Sequence, residues 1–289
     1  MKKILVPTDF SNQANAALKL ATQLARTSDA EVVLLSVMEV PYNTFSPGGT
    51  SISVTGSPVT GSSMDNVFIV QLHDKTKRQL EDIVNREEFN DINISYKLMM
   101  GSPYHSISEE ITHNEVNLVI MGTKGISGIE EVLIGSNTEK VVRNAKCPVL
   151  TVKDDIDFSL MKDIVFASNF TEDQPHVVKE LLKLKKLLNA KLHLVKVNTP
   201  GNFLSSRQMQ KQMDDFVKKY ELYDYTINVY NDSVEEDGII YFAEDINADL
   251  IALATHGRTG FMHLLSGSIA EDVVNHSKRP VWTYTLKKN

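Results

Sequence analysis

The chain has 289 residues, of which 42% are hydrophobic and 23% charged, a composition typical of a globular protein with about two domains. A formal net charge of −7 and a pI near 5.6 argue against a general nucleic-acid-binding protein, which would normally be basic. No stretch approaches the roughly 20 consecutive apolar residues of a membrane-spanning helix.

Two further features predict a cytoplasmic protein. The N-terminal apolar run, residues 4–6, is too short for the hydrophobic region of a signal peptide. The single cysteine, Cys147, excludes an internal disulfide and is expected to be a small buried hydrophobe.

Short apolar runs alternate with segments of helical periodicity along the first half. The predicted elements, in order, are a strand at 4–6, a helix over 14–25 after an N-cap at Ser11, a strand at 32–37, a helix at 67–86, a strand at 92–98, a helix from Ser102-Pro103, a strand at 118–121, a helix at 137–144 and a strand at 149–152. Such alternation predicts a parallel sheet covered by helices on both faces.

A stretch rich in Gly, Ser and Thr interrupts this pattern at residues 41–66. It has little apolar periodicity and is predicted to be a flexible inserted loop. Three roles stay open for it: a disordered insertion, a lid over a site, or a contact for a protein partner.

The second half repeats the first. Residues 3–10 correspond to 163–170, residues 121–128 correspond to 253–260, and a Pro-Val pair leads into the last predicted strand of each copy. The predicted strands of this half are 164–167, 192–197, 225–230, 250–254 and 281–284, and its predicted helices include 175–188, 204–220 and 235–245. The duplication predicts two domains, 1–153 and 160–289, joined by a short acidic linker.

A glycine-rich loop follows the strand at 118–121 and leads into a helix. Its glycines include Gly122, Gly125, Gly128 and Gly135, and Ser136 comes next. Glycines let backbone N–H groups approach an anion, and a helix N-terminus adds unpaired donors. The pattern favours a phosphate cradle, with a tight connection that binds nothing as the alternative.

Asp9 is expected close to this loop. It follows the first strand, and ligands of such sheets bind at the carboxyl ends of strands where the strand order reverses. A carboxylate there suits ribose hydroxyls or a bridging Mg²⁺. The alternative is a turn or capping aspartate.

These residues resemble the universal stress protein family in its tandem two-domain form. Nucleotide-binding members of the family carry Gly-x2-Gly-x9-Gly-(Ser/Thr), and Gly122, Gly125, Gly135 and Ser136 match that spacing. The opening residues 4–11 and the Cys147-Pro148-Val149 ending are similar as well. The resemblance covers the whole chain apart from 41–66.

The resemblance implies an α/β fold of two doubly wound, Rossmann-like domains. Each would have a five-stranded parallel sheet of order 3-2-1-4-5, and the last strands, 149–152 and 281–284, would pair within the chain as a pseudo-dimer. Physical grounds also favour this pairing, because a last strand left at the edge of a sheet would expose unpaired backbone N–H and C=O groups. A further homodimer is possible, and protein partners are unknown.

The resemblance also implies that the first domain binds ATP with Mg²⁺ in a cytoplasmic stress response. Asp9 would contact the adenosine and Val37 the base. The expected nucleotide-binding residues are Pro7, Thr8, Asp9, Val37, Met121, Gly122, Thr123, Gly125, Gly135, Ser136 and Asn137. We assign no residue to a metal or to catalysis.

The second copy departs from this pattern. It keeps Gly257, Gly267 and Ser268, but Asn169 replaces Asp9 and Ala254 replaces the first glycine. Ala254 adds a methyl group where backbone should approach phosphate, and His256 or Arg258 could compensate. We therefore expect weaker nucleotide binding, another ligand, or a structural role.

No set of residues predicts a turnover enzyme. The chain lacks a Gly-x-Ser-x-Gly elbow, a lysine placed as in a Walker motif, and Cys/His metal spacing. Two alternatives stay open beside ATP regulation. One is slow ATP hydrolysis or self-phosphorylation at Ser136, Thr123 or Ser268, and the other is a nucleotide-independent interaction module.

Overall fold

In the computed structural model, which describes residues 1–39, 51–52, 58–59, 63–123, 134–171, 173–256 and 267–286, the chain forms one large twisted sheet covered by helices on both faces. The described elements of the first half are β1 (Lys3–Pro7), α1 (Asn12–Ser28), β2 (Glu31–Met38), β3 (Ser51–Ile52), β4 (Pro58–Val59), α2 (Ser63–Val84), β5 (Ile94–Met100), α3 (Pro103–His113), β6 (Leu118–Gly122), α4 (Ser136–Asn144) and β7 (Val149–Val152).

The second half repeats this succession without a counterpart of β3 and β4 among its described residues. Its elements are β8 (Asp163–Ala167), α5 (Pro175–Leu188), β9 (Lys191–Asn198), α6 (Ser206–Lys219), β10 (Tyr225–Asn231), α7 (Glu235–Asp245), β11 (Leu250–His256), α8 (Gly267–His276) and β12 (Val281–Leu286). Short 3₁₀ helices lie at Glu87–Phe89, Phe158–Leu160 and Pro200–Asn202.

The main sheet has ten strands in the order β10-β9-β8-β11-β12-β7-β6-β1-β2-β5. Leaving out the small β3–β4 pair, the sheet strands of each half follow the order 3-2-1-4-5, as predicted. Within each half all strand pairs of the main sheet are parallel, and the two halves join through an antiparallel pair of their last strands. The predicted pairing within the chain is therefore confirmed, and the complete sheet is mixed.

The junction between β7 and β12 is buried and joined by hydrogen bonds. Trp282 lies opposite Leu150 and is 1% exposed. The hydroxyl groups of Thr151 and Thr283 are buried and each donates to a backbone carbonyl of the other half. These contacts make the two halves one continuous core.

Side-chain alternation along the strands gives the sheet two distinct faces. Leu34 of β2 packs toward α1 and α2, and Val33 packs toward α3 and α4. β2 is buried on both faces, and after Glu31 its sequence is accordingly a run of apolar residues interrupted only by Ser36. The face of α1 and α2 continues into α5 and α6, and the face of α3 and α4 continues into α7 and α8.

The region 41–66 differs from the predicted plain loop where it is described. Ser51–Ile52 and Pro58–Val59 form a short antiparallel pair, and α2 begins at Ser63, inside the predicted loop. The rest of that prediction, including the lid and partner roles, falls on residues outside the described ranges.

β1 and β6 lie side by side at the centre of the first half, with Ile4 opposite Leu118. The chain leaves β1 toward β2 on one side and leaves β6 toward β7 on the other, so the strand order reverses between them. Ligands of doubly wound sheets bind at this point, outside the carboxyl ends of the strands. Pro7 and Gly122 end the two strands there.

Candidate functional site

The turn between β1 and α1 is fixed by its own side chains. The Thr8 hydroxyl accepts the N–H of Phe10 at 3.1 Å, and Asp9 Oδ1 accepts the N–H of Ser11 at 3.0 Å. Ser11 Oγ in turn accepts the N–H of Ala14 and caps α1, as predicted. Asp9 is therefore a turn aspartate, half-buried at the sheet edge, and this role is compatible with a ligand contact.

Several of the residues expected to bind nucleotide lie on the same face of the sheet, the one covered by α3 and α4. Met121 belongs to the core on the side of α3 and α4, and Val37 packs against that core. Thr123 comes two residues after Met121, and Pro7 comes two residues after Leu5 of the same core, so alternation directs them to this side. A ligand at this edge would lie over the α3–α4 face.

The two ends of the glycine-rich loop meet at its base. The N–H of Gly135 donates to the Thr123 carbonyl at 2.6 Å, and Thr138 Oγ1 donates to the Gly122 carbonyl at 3.0 Å. Residues 124–133, including Gly125, lie outside the described ranges. The structure therefore gives the closed base of a loop that begins at the end of β6 and returns at the start of α4.

The N-terminus of α4 opens at this base. Gly135 is the N-cap residue and has no side chain to accept the first-turn N–H groups. Ser136 is exposed and Asn137 is half-buried, so both can contact a molecule in solution. Unpaired donors and the helix dipole favour an anion here.

Thr123 carries an unsatisfied polar group at the same place. The residue is 3% exposed, and its Oγ1 has no hydrogen-bond partner in the part of the chain that the structure describes. Leaving a buried hydroxyl without a partner costs about 1–3 kcal/mol. Such a group at the base of a loop is a ready contact for a polar ligand.

Gly122 has a different structural role from the one expected. A Cβ built on Gly122 would lie 2.6 Å from Gln13 Cβ and 2.8 Å from the Gln13 backbone carbon. The missing side chain is therefore required for the close approach of α1 to β6. It does not by itself indicate a phosphate contact, although the Gly122 backbone still lies at the base of the loop.

The equivalent turn in the second half has the same geometry as the turn at Asp9 but carries no carboxylate. Asn169 Oδ1 accepts the N–H of Thr171 at 3.1 Å, as Asp9 does for Ser11. Phe10 and Phe170 both have positive φ, at 65° and 57°. The substitution of Asn169 for Asp9 thus preserves the local fold and removes the carboxylate.

A buried lysine stands beside this second turn. Lys196 Nζ donates to the Asn169 carbonyl at 2.5 Å and to Gln212 Oε1 of α6 at 2.8 Å. Burial lowers the pKa of Lys196, and Glu235 partly offsets that effect. The first half has Ser36 at the corresponding position, so the two sites differ by more than the pair Asp9 and Asn169.

The base of the second loop is also built differently. The Thr255 hydroxyl, equivalent to Thr123, donates to Thr285 Oγ1 at 3.2 Å. Ala270 replaces Thr138, so the hydroxyl that bonds the end of β6 has no counterpart. Ala254 is 1% exposed and belongs to the core on the α5 side, so its methyl group does not reduce access to the loop.

Several expected residues cannot be placed. Gly257 and Arg258 lie outside the described ranges, as does Gly128, and for His256, Gly267 and Ser268 only the backbone is described.

Within the described ranges, no group of three or more His, Cys, Asp or Glu side chains is arranged to hold a metal ion. No helix in those ranges is long and apolar enough to cross a membrane. Cys147 is buried, as predicted.

Three residues at the sites escaped the sequence analysis: Thr138, Lys196 and Asn275 of α8. Asn275 Oδ1 accepts the N–H of Ile134, the residue before Gly135, at 2.7 Å. A position-by-position comparison of the two halves would have marked all three, because each differs in type from its counterpart.

Comparison with known proteins gives consistent results. The model of the universal stress protein family matches residues 1–153 and again 161–284. Universal stress protein MJ0531 of Methanocaldococcus jannaschii is 34% identical over 153 residues, which cover 53% of this chain and 82% of that protein. Universal stress protein MJ0577 of the same organism is 32% identical over 158 residues, covering 53% of this chain and 94% of that protein.

A solved structure matches the complete two-domain arrangement. The crystal structure of a universal stress protein from Archaeoglobus fulgidus has a TM-score of 0.74 at 20% identity and covers 98% of both chains. At that identity the likeness concerns the fold. It extends across both halves and their junction.

Proposed function

The chain belongs to the universal stress protein family, and on this basis we propose that its first domain binds ATP, with Mg²⁺, as a regulatory ligand in a cytoplasmic stress response. The second domain supports that site and binds nucleotide weakly or not at all. The proposal deals with the binding of nucleotide, and turnover is not required for it.

The observation that carries the proposal is the Thr123 hydroxyl. It is buried and without a partner in the described structure, at the closed base of a glycine-rich loop. A phosphate or ribose oxygen at the loop would satisfy it. In the second domain the equivalent Thr255 already bonds Thr285, so the corresponding need for a ligand is absent.

The neighbouring groups suit the parts of a nucleotide. The start of α4, with Gly135, Ser136 and Asn137, supplies donors for phosphate oxygens. Val37 supplies an apolar surface for the base on the α3–α4 face. Asp9, just past the end of β1, would accept hydrogen bonds from ribose hydroxyls.

Mg²⁺ would bind mainly through the nucleotide. Because the described residues include no cluster of three His, Cys, Asp or Glu side chains, the phosphates and water would supply most of its ligands. The prediction follows that Mg²⁺ alone binds weakly and that it binds together with ATP.

Two features favour binding without efficient turnover. The sequence has no lysine placed as in a Walker motif to stabilise a transferring phosphoryl group. Hydrolysis also requires a base that positions water, and the sequence offers no clear candidate for it. Slow hydrolysis or self-phosphorylation would show as label transfer from [γ-32P]ATP to water or to protein.

The first experiment is to purify the full chain without added nucleotide, denature it, and identify the released nucleotides and their ratio to protein. One ATP per chain supports a single working site, and Thr123→Val should lower that occupancy while Thr255→Val should not. Two ATP per chain would mean that the second domain also binds. No released nucleotide, followed by no heat on titration with ATP and Mg²⁺, would favour a nucleotide-independent interaction module.

A further inference from the structure

The second domain contacts the loop of the first domain directly. Asn275, in the last turn of α8, accepts the N–H of Ile134 through its side-chain oxygen at 2.7 Å. Ile134 is 8% exposed and precedes Gly135, whose N–H closes the loop base on Thr123. The contact therefore holds the returning arm of the loop at the point where it enters α4.

The backbone of Asn275 also contacts the first domain, through a lysine that follows β7. Lys153 Nζ donates to the Asn275 carbonyl at 2.6 Å. Lys153 follows Val152, which pairs with Gly122 at the end of β6. Asn275 thus bonds Ile134 through its side chain and, through its carbonyl, the residue that follows β7, the strand paired with the end of β6.

The corresponding position of the first domain makes a different contact. Arg143 of α4 is the counterpart of Asn275, and its guanidinium pairs with Glu271 of α8. The Thr285 hydroxyl, at the position equivalent to Lys153, lies 3.5 Å from the Arg143 carbonyl and 3.3 Å from that of Val142. The backbone contacts across the junction are therefore similar in both directions, whereas the side chains differ.

We propose that Asn275 is a positioning residue through which the second domain holds Ile134 and the N-terminus of α4, at the base of the first domain's glycine-rich loop, in the position that binds ATP. This inference rests on the proposed function, because it assigns to the second domain a role in ATP binding at the first. The asymmetry of Asn275 and Arg143 gives each copy its own task, with the first binding the ligand and the second supporting it.

The arrangement has a thermodynamic consequence. If the Asn275 contact favours the conformation that binds ATP, then bound ATP strengthens the same contact by an equal factor. Loss of nucleotide would loosen the Asn275–Ile134 bond while the strand pairing of β7 with β12 persists.

The test compares Asn275→Leu with Glu271→Gln in the full-length chain. Asn275→Leu removes the acceptor at similar size, and Glu271→Gln removes the charge of the neighbouring interdomain pair without touching Ile134. Two quantities are measured: the hydrogen-exchange rate of the Ile134 amide and the dissociation rate of ATP. Asn275→Leu should raise both by roughly fivefold or more, and Glu271→Gln should leave both near wild type.

Asn275→Asp provides the rescue, because it keeps an acceptor oxygen and should restore protection of the Ile134 amide. Asn275→Ala replaces the leucine variant if circular dichroism shows that the leucine variant is unfolded. Unchanged exchange and an unchanged off-rate in a folded Asn275→Leu protein, with wild type binding ATP, would overturn this inference alone. Absence of ATP binding by wild type would overturn the proposed function and the coupling with it.

Discussion

Gly122 at the end of β6 lies against Gln13 of α1 so closely that an added Cβ would be 2.6 Å from Gln13 Cβ. The contact involves the Gln13 backbone as well, with its carbonyl carbon at 2.8 Å, so a change of rotamer cannot relieve it. The φ of Gly122 does not lie in the left-handed region, and the glycine is needed for space and not for an unusual backbone. A glycine of the nucleotide motif is therefore also a packing requirement of the fold.

Gly122→Ala is expected to lower the free energy of unfolding by about 1–3 kcal/mol, because α1 must shift away from the sheet. Gly201→Ala is the control, since a Cβ there meets nothing within 4 Å. Urea denaturation of both variants measures the difference. Equal stabilities would show that α1 accommodates the methyl group. Loss of ATP binding by Gly122→Ala or Gly122→Val alone is not evidence for a phosphate contact.

Ala254→Gly tests the opposite substitution in the second domain. Its methyl group is buried in the core on the α5 side, so its removal should destabilise the protein by about 0.5–1 kcal/mol. We expect no gain of nucleotide binding, in contrast to what the glycine pattern alone suggests. A rise from one to two ATP per chain would contradict this and would return Ala254 to the role that the sequence analysis gave it.

Thr123→Val and Thr255→Val are a matched pair with opposite expected effects. Thr123→Val removes a buried hydroxyl without a described partner, so stability should be unchanged or slightly higher. Thr255→Val breaks the bond to Thr285 and should lower the free energy of unfolding by about 1 kcal/mol.

The same two variants separate stability from ligand binding. ATP affinity should fall by roughly fivefold or more in Thr123→Val, corresponding to about 1 kcal/mol, and should be little changed in Thr255→Val. Isothermal titration at one salt concentration provides the affinities, and urea denaturation provides the stabilities. A destabilised Thr123→Val protein with normal affinity would show that the hydroxyl has a structural partner instead of a ligand.

Most of the fold could be predicted from the sequence because its signals are local and repeated. Two helices, Pro175–Leu188 and Glu235–Asp245, have the predicted ends, and the first is bounded by Pro175 and by Asn189 in the left-handed conformation. The strand order and the pairing of the last strands came from the family resemblance. α2 was predicted to begin too late, since polar residues such as Ser63 and Asp65-Asn66 resemble a loop although they begin a helix.

The site was less predictable, because its decisive contacts are long-range. Nothing near Gly122 in the sequence shows that Gln13 packs against it. The bond from Ile134 to Asn275 joins residues of different domains, and its only sequence signal is the difference between Asn275 and Arg143. Glycine spacing locates a loop, but it does not show which glycine serves the ligand and which serves the core.

Asp9→Asn gives the first domain the residue that the second domain has at this position, Asn169. The amide keeps an oxygen for the Ser11 N–H, as Asn169 does for Thr171, so stability should be near wild type. Affinity for ATP should fall by roughly tenfold or more, because a charge-assisted bond to the ribose becomes a neutral one. The measurement is titration with ATP and Mg²⁺, beside 2′-deoxy-ATP as a probe of the ribose contact. If Asp9→Asn lowers both affinities equally, Asp9 acts elsewhere than at the 2′-hydroxyl.

Lys196 is expected to make the free energy of unfolding depend on pH in the alkaline range. Burial lowers the pKa of its ammonium group below the ordinary 10.5, so the folded protein releases this proton more readily than the unfolded protein. Between the lowered pKa and about 10.5, the unfolded state therefore binds more protons, and the free energy of unfolding rises with pH. Below that window the contribution is constant and unfavourable.

Lys196→Met isolates this effect, since methionine fills a similar volume without a charge. The difference in unfolding free energy between wild type and Lys196→Met should be flat near neutral pH and should shift in favour of wild type as the pH approaches 10.5. Urea denaturation at a series of pH values measures it, with Lys191→Met, on the exposed start of β9, as the control for the loss of an exposed lysine. A difference independent of pH would mean that the bonds to Asn169 and Gln212 compensate the ammonium for its burial. Lys196 would then be a stable cation beside Asn169, whose counterpart in the first domain is the carboxylate Asp9.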